Sequence, residues 1–483
     1  MTTANTSTIG EQLAASPALT AAIDTIVAEV EAKSAHITDA KGPDADKVES
    51  YDALMHRAAQ VRGKGLLYPY IGSGAGNGAL VELLDGSVKW DMITGIGVHF
   101  FGHSEPGMVR AAVEGGFANT LKHGNLVSNF DAFEFGEVLL AEAAKGSRLK
   151  HAFVSTGGAL ANENALKVCM QKHESAPRVL AFADCFMGRT ITMAQIGDSP
   201  GNRQGIPLST LVDYMPFYDH VAAGRMGAKR YIDMSVWHLT QYLDRYPNQH
   251  SCFIFELVQG EGGFNTATRD YFKALMDVCR DRNVAIWDDE IQSWGRTTEM
   301  FAYDMLDLGD YVDVFCVGKM SQACATLYTD EYNPKPGLLS GTFTGESATF
   351  RAGTRVIERL RDGNYYGESG LIAQHHAEFR KQVRALADKH PDWFPPVKGA
   401  FGKPGAEDIV GGVGGMMRFT PFAGAKDKII KVCKESFHEG VILFWCGHDP
   451  YHVRMLPPLG VMKLEDWPRV FECIERALAK AAA

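Results

Sequence analysis

Residues Val284–Lys319 read VAIWDDEIQSWGRTTEMFAYDMLDLGDYVDVFCVGK. An apolar run closes on three acids, Asp288, Asp289 and Glu290; a helix-like segment follows; a second apolar run, VDVFCV, leads to Lys319. We expect a strand, a crossover helix and a parallel strand, because a right-handed crossover returns the chain in the direction in which it left. Asp289 and Lys319 then lie at the same end of neighbouring strands, the end where open α/β sheets bind ligands. A carboxylate and a desolvated amine facing one crevice suit a cofactor that carries a basic nitrogen and an aldehyde. Pyridoxal phosphate has both.

Outward from that stretch, strand-like runs alternate with helical patterns between about residues 150 and 320: HAFVS, RVLAFAD, CFIFELV, VAIWD and VDVFCV. The alternation predicts an α/β fold with a mostly parallel central sheet covered on both faces by helices. After about Thr344 a long helix, 348–361, leads into a mixed α/β segment that reads as a smaller domain. The expected division is 1–90 (N-terminal helices and a hairpin, part of the small domain), 91–345 (the large domain) and 346–483 (the C-terminal small domain). At the N-terminal side, Ser16-Pro17 signals a helix start, and a second helix is expected over 44–62, ending at Gly63. ALVELL and SVKWDM flank Asp85-Gly86, a pair suited to a type I′ hairpin turn. The glycine-rich GSGAGNG at 72–78 matches neither phosphate-loop spacing, so a plain loop before the hairpin is expected there.

Composition narrows the classes. A chain of 483 residues with 46% hydrophobic and 22% charged residues has the makeup of a globular protein with a large core. With 48 basic against 58 acidic residues, a formal charge of −10 and no basic run, nucleic acid is not an expected partner. Nine scattered cysteines without a CxxC pair indicate neither a disulfide framework nor a metal site and read as reduced thiols in a cytoplasmic protein. The N-terminus shows no basic and apolar signal pattern, and no apolar run approaches the ~18 residues of a membrane span.

Three further stretches carry chemistry. In STGGALANENALKVC, 155–169, a strand-like run gives way to two glycines and a helix. Gly158 and Ala159 at that helix N-terminus offer unpaired N–H groups and a favourable dipole to a phosphate, although a tight strand-to-helix turn would look the same. In DCFMGRT, Phe186 is able to stack on a planar ring or to belong to the core, and Arg189 is a permanent cation suited to a carboxylate or to the surface. In ELVQGEGG, glycines let the backbone approach a ligand closely while Glu261 projects beside it.

Taken together, GALANENALK, FMGRT, ELVQGEGG, DEIQSWGRT, FCVGK, SGTFTGE and VRMLPPL resemble, in order and spacing, the class III aminotransferases, the group of ornithine, 4-aminobutyrate and lysine 6-aminotransferases. The resemblance covers roughly residues 65–475. It implies the type I pyridoxal-phosphate transferase fold and a homodimer, or dimer of dimers, with active sites at the interface. It implies that Lys319 holds the cofactor as a Schiff base and shuttles a proton, that Asp289 pairs with the pyridinium nitrogen, and that Gln292 bonds the phenolic oxygen. Phe186 would stack on the ring, Gly158 and Ala159 would hold the phosphate, and Thr342 would reach it from the other subunit. Arg454 matches the arginine that takes the α-carboxylate of glutamate or 2-oxoglutarate, Glu261 the glutamate that masks it, and Arg189 the arginine for a carboxylate on the other side. The partners implied are a small amino donor and a 2-oxo acid, with no metal.

The chain departs from the family pattern at Asp288, usually apolar, at Met187, often histidine, in the shortened SWGRT turn, and in TGE where GGN is usual. GGALANENALK and GKMSQACA look most like the lysine branch, while NENA also occurs in the 4-aminobutyrate branch. A racemase or aminomutase of the same fold is the main alternative, since it would use the same lysine, aspartate and phosphate cradle. The joint presence of Glu261 and Arg454 leans towards transamination. A non-enzymatic relative would be expected to have lost Lys319 or Asp289. A serine hydrolase is disfavoured: Gly197-Asp198-Ser199-Pro200-Gly201 matches GxSxG, but Pro200 has no N–H for an oxyanion.

Overall fold

The computed structural model describes residues 7–118, 121–397 and 409–483. Its centre is a seven-stranded sheet made of β1 (His151–Ser155), β2 (Arg178–Phe182), β3 (Leu211–Met215), β4 (His250–Phe255), β5 (Ala285–Glu290), β6 (Val314–Val317) and β7 (Cys324–Tyr328). The spatial order is β1-β7-β6-β5-β4-β2-β3. Along β6-β5-β4-β2-β3 every pairing is parallel, whereas β7 runs antiparallel to both β6 and β1. The mostly parallel α/β expectation therefore holds. Two strands went unread in the sequence: LVDYM (β3) and CATLY (β7).

All six residues of β5 are buried because the sheet is covered on both faces. Ala285 and Trp287 pack with Ala161, Ala165, Val168 and Cys169 of helix α1 (Gly158–Lys172), while Ile286 packs on the other face in the cluster of Phe272, Leu275, Phe301, Tyr303 and Phe315. β5 and β6 run in register, with Asp289 opposite Cys316 and Glu290 opposite Val317. The crossover between them differs from expectation. It is built mainly of turns, with only Ala302–Met305 and a 3₁₀ turn at Gly309–Tyr311 helical. After Val317 the chain reverses at once into β7, and the reversal places Lys319 at φ 53° and Gln322 at φ 63°. Left-handed conformations at non-glycine residues are uncommon and concentrate at functional sites.

Two smaller sheets flank this core. Gly72–Asn77, Leu80–Leu83, Val88–Asp91 and Val441–Ile442 form one, so the glycine-rich stretch is an edge strand rather than a loop. The hairpin turn is also not type I′. Gly86 N–H bonds Leu83 O and Leu83 N–H bonds Ser87 O, with only Gly86 left-handed, which is a three-residue turn closed by a glycine bulge. The Asp85 side chain favours it by accepting from the Ser87 N–H at 2.9 Å. The second sheet is antiparallel, in the order Val410–Val413, Met416–Phe419, His452–Met455, Phe444–Cys446, and its third strand carries Arg454. The N-terminal helices are Ile9–Ala14, capped by Thr8, Pro17–Ser34, capped by Ser16, and Val48–Arg62, ended by left-handed Gly63. Pro200–Asn202 is a single 3₁₀ turn, not the helix a nucleophile elbow requires.

Asp288, the departure from the family pattern, lies with Glu290 on the face of β5 opposite Asp289. Both are fully buried, and apart from each other neither Asp288 oxygen nor Glu290 Oε2 has a hydrogen-bond partner among the described residues. Two buried carboxyls whose facing oxygens have no other donor keep a proton between them. Burial holds Asp288 well above the carboxylate range and Glu290 at about 8. The folded chain thus binds more protons than the unfolded one between the ordinary glutamate value of 4.5 and about 8, and stability falls as pH rises across that window. Each retained proton costs about 1.4 kcal/mol per pH unit. Asp288→Asn is expected to raise the melting temperature, and to raise it more at pH 8 than at pH 5; an equal shift at both would contradict the assignment.

Candidate functional site

A crevice of about 330 Å³ opens at the carboxyl ends of β4, β5 and β6. Gly158, Ala159, Phe186, Arg189, Glu261, Asp289, Gln292 and Lys319 all line it. Eight expected residues, scattered from position 158 to position 319 of the sequence, are thus gathered by the sheet order. Arg454 lies immediately behind, its guanidinium 2.7 Å from Glu261 and 3.3 Å from the Gln292 side-chain oxygen. Thr342 does not line the crevice of its own chain. It is exposed, on a loop tied to Asn125 by Asn125 N–H to Gly341 O and Gly341 N–H to the Asn125 side chain, each at 3.0 Å.

Asp289 is 6% exposed, at the floor. Its Oδ1 accepts from the Ile291 N–H at 3.0 Å and its Oδ2 from Asn162 Nδ2 at 2.7 Å. Burial pushes its carboxyl up to about 6, against the pull of those two donors and of Lys319, so it is ionised at neutral pH. Lys319 has no side-chain hydrogen bond or ion pair among the described residues, and burial lowers its amine from the usual lysine value. A neutral amine is the nucleophilic form.

One end of the crevice is the N-terminus of α1. Gly157, the residue before the first turn, brings no capping side chain, so the first N–H groups of the helix lack a side-chain acceptor. Space there is tight: a Cβ on Gly158 would sit 2.9 Å from Ile291 Cγ2. Gly188, at φ 131°, lets the Phe186–Arg189 loop close over the cradle, since a Cβ there would come 2.6 Å from Ala159 Cβ. Arg189 lies 5.6 Å from the centre of the Phe186 ring.

Arg454 is fully buried. Although Nη2 lies 2.7 Å from Glu261 Oε1, neither Nη2 nor Nε makes a hydrogen bond of acceptable geometry. Glu261 remains 26% exposed, so a part-exposed anion stands beside a fully buried cation. Its loop is held by Gly447 N–H bonding Glu261 O at 2.8 Å. Pyridoxal phosphate fits this set: an N-terminal helix turn without a side-chain cap for the phosphate, a buried ionised carboxylate for the ring nitrogen, and an unpartnered amine for the aldehyde, in a volume at the small end of ligand pockets.

Two residues escaped the sequence reading. Asn162 follows Gly158 by four positions on α1 and so shares its face, a signal that was available. Glu256, 7% exposed, accepts from the Phe186 N–H at 3.1 Å and the Gly260 N–H at 3.2 Å, tying the aromatic loop to the Glu261 turn. Burial, with Asp289 close by, pushes Glu256 up to about 8.

The family model described as "Aminotransferase class-III" matches residues 66–478. A 4-aminobutyrate aminotransferase of Mycobacterium tuberculosis is 27% identical over 449 residues, covering 88% of this chain and 94% of that protein. A diaminobutyrate–2-oxoglutarate transaminase of Oceanobacillus iheyensis is 25% identical over 393 residues, 78% of this chain and 84% of that one. Among solved structures, a lysine aminotransferase of M. tuberculosis superposes with a TM-score of 0.73 at 21% identity, over 88% of this chain and 99% of its own, and so shares the fold.

Gly188→Ala is expected to cost about 1–3 kcal/mol through strain at a left-handed position. It should lower affinity for pyridoxal phosphate in a fluorescence titration of the cofactor-free protein. Unchanged affinity would show that the loop does not close on the cradle.

Proposed function

Because this chain belongs to the class-III aminotransferase family and is a transaminase dependent on pyridoxal phosphate, we propose that it moves the terminal amino group of an ω-amino acid to 2-oxoglutarate. The donor class is that of lysine, 4-aminobutyrate or ornithine. The observation that carries this reading is the Arg454–Glu261 contact: a buried fixed cation beside a part-exposed carboxylate at 2.7 Å. One pocket has to accept two substrates in turn. A 2-oxo diacid displaces Glu261 and pairs with Arg454, whereas a donor without a carboxylate at that point leaves the pair closed. An unpaired buried guanidinium would be costly, and Glu261 keeps it partnered between the two.

Bound pyridoxal phosphate supplies an electron sink for the substrate's reacting carbon. In our reading the chain does the rest. Asp289, ionised, keeps a proton on the ring nitrogen. Phe186 covers one ring face, Gln292 bonds the phenolic oxygen, and Gly158 and Ala159 donate to the phosphate. Lys319 would hold the aldehyde end and would carry the proton to and from the substrate's reacting carbon. Arg189, at the other side of the crevice, receives the far carboxylate of an ω-amino acid. A racemase or aminomutase would share the first group of residues but has no use for the Arg454–Glu261 exchange, and this favours transamination.

We read the working form as a homodimer. Leu126 is 99% exposed, with Val127, Phe130, Phe133 and Phe343 each 59–64% exposed. Apolar exposure on this scale supports burial against a second copy, whose Thr342 would then complete the phosphate site. No described helix is long and apolar enough to cross a membrane. The nine cysteines are free and buried, which supports a reducing, cytoplasmic setting.

Arg454→Ala is expected to lower kcat/KM for 2-oxoglutarate by at least about tenfold, the loss typical of a charged hydrogen-bonded partner. Cofactor affinity should change little. The check is single-turnover reaction of the pyridoxamine form, and an unchanged rate would remove Arg454 from the substrate site.

A further inference from the structure

Asn162 is 2% exposed, one turn into α1, directly behind the cradle formed by Gly158 and Ala159. Its amide nitrogen donates to Asp289 Oδ2 at 2.7 Å and to the Met187 carbonyl at 2.8 Å. Both partners are acceptors, so the orientation of the amide is settled by chemistry: a carbonyl oxygen in that place would face two oxygens. The amide oxygen is buried with no donor among the described residues. That loss is incurred while both N–H groups are satisfied, which indicates a side chain retained for its donors. The same helix is bound to β7 by Thr326 Oγ1 donating to the Ala161 carbonyl at 2.7 Å, so Asn162 acts from a fixed base.

We propose that Asn162 is the positioning residue for Asp289: it orients the carboxylate and holds it in the ionised form required by the ring nitrogen, and through Met187 it sets the stacking loop at the same height. The proposal rests on the assignment of Asp289 to that nitrogen. Without Asn162, Asp289 would keep only the Ile291 N–H as a donor. The other titratable groups near it are Lys319 beyond β6, Glu256 beyond β4, and the thiols of Cys316 on β6 and Cys324 on β7, while Asp288 on its own strand points to the opposite face. Of these only Lys319 favours the charge, and burial already weakens its cationic form.

The consequence is a pH signature. Burial raises the Asp289 carboxyl, and the Ile291 N–H, the Asn162 amide and Lys319 pull it down, leaving it at about 6. Loss of the amide donor moves that value upward. In the interval between the old and new values the variant holds a protonated Asp289 where the parent holds a carboxylate. The affinity deficit is therefore largest in that interval, just above the parent's value of about 6, and it shrinks at higher pH as the variant's Asp289 ionises too.

The test is the dissociation constant of pyridoxal phosphate for the cofactor-free chain, read by quenching of intrinsic fluorescence between pH 6 and 9, for the parent, Asn162→Leu, Asn162→Ala and Asp289→Asn. Either Asn162 variant should bind at least about tenfold more weakly at pH 7, the size expected when a charged acceptor loses its donor, with a smaller deficit at pH 9. Asp289→Asn should bind weakly without that pH dependence. An Asn162 deficit constant across pH would mean that the amide only supports the fold, and equal affinity of parent and variants would mean that it does nothing; either overturns the proposal. If Asp289→Asn binds as the parent does, the failure lies in the assignment of Asp289 itself.

Discussion

The structure depends on the pairing of two short parallel strands, β5 and β6, buried on both faces. Their register sets Asp289 opposite Cys316, two residues short of Gly318, so that a carboxylate and an amine emerge into one crevice. Neither group would hold its unusual state in water. Burial pushes Asp289 up to about 6 without neutralising it at pH 7, and lowers the Lys319 amine towards the nucleophilic form. The covering helices and the left-handed turn at Lys319 maintain that desolvation. The rest of the crevice is arranged around these two charges.

The second constraint is that one pocket serves two substrates. Arg454 comes from an antiparallel sheet outside the main one, and Glu261 from a turn after β4. Gly447 N–H ties the Glu261 carbonyl to the C-terminal segment that carries Arg454. A fixed cation with two nitrogens, Nε and Nη2, that make no aligned hydrogen bond and a part-exposed anion suits an exchange of partners better than a fully bonded pair would. Glu256 adds rigidity beneath it by joining the Phe186 loop to the Gly260 turn.

Much of this was legible in the sequence. Acid and amine after two apolar runs, a glycine turn before a helix, and glycines around Glu261 are local patterns, and each maps onto the crevice. The parts that were not legible depend on long-range pairing. CATLY, β7, gives no sign that it will turn back antiparallel between β6 and β1, because that choice is made by the strained turn at Lys319–Gln322. The segment between β5 and β6 looked helical in composition, yet buried turns held by Arg296 and Tyr303 took its place: Arg296 donates to the Pro457 carbonyl at 3.1 Å and the Tyr303 N–H to Glu290 at 3.0 Å. Asn162 was half legible: its spacing from Gly158 puts it on the same face of the helix, but its acceptor lies 127 residues away and is brought to it only by the sheet order.

The central claim is that the aldehyde of pyridoxal phosphate is held by Lys319 and by no other lysine. Reconstituting the chain with the cofactor, reducing with borohydride and mapping the pyridoxyl mass by peptide mass spectrometry tests it directly. The account predicts a single labelled peptide carrying Lys319, with the visible absorbance band and the label both lost in Lys319→Ala. A label on a different lysine, or an unmodified Lys319 in a fully reconstituted chain, would contradict it.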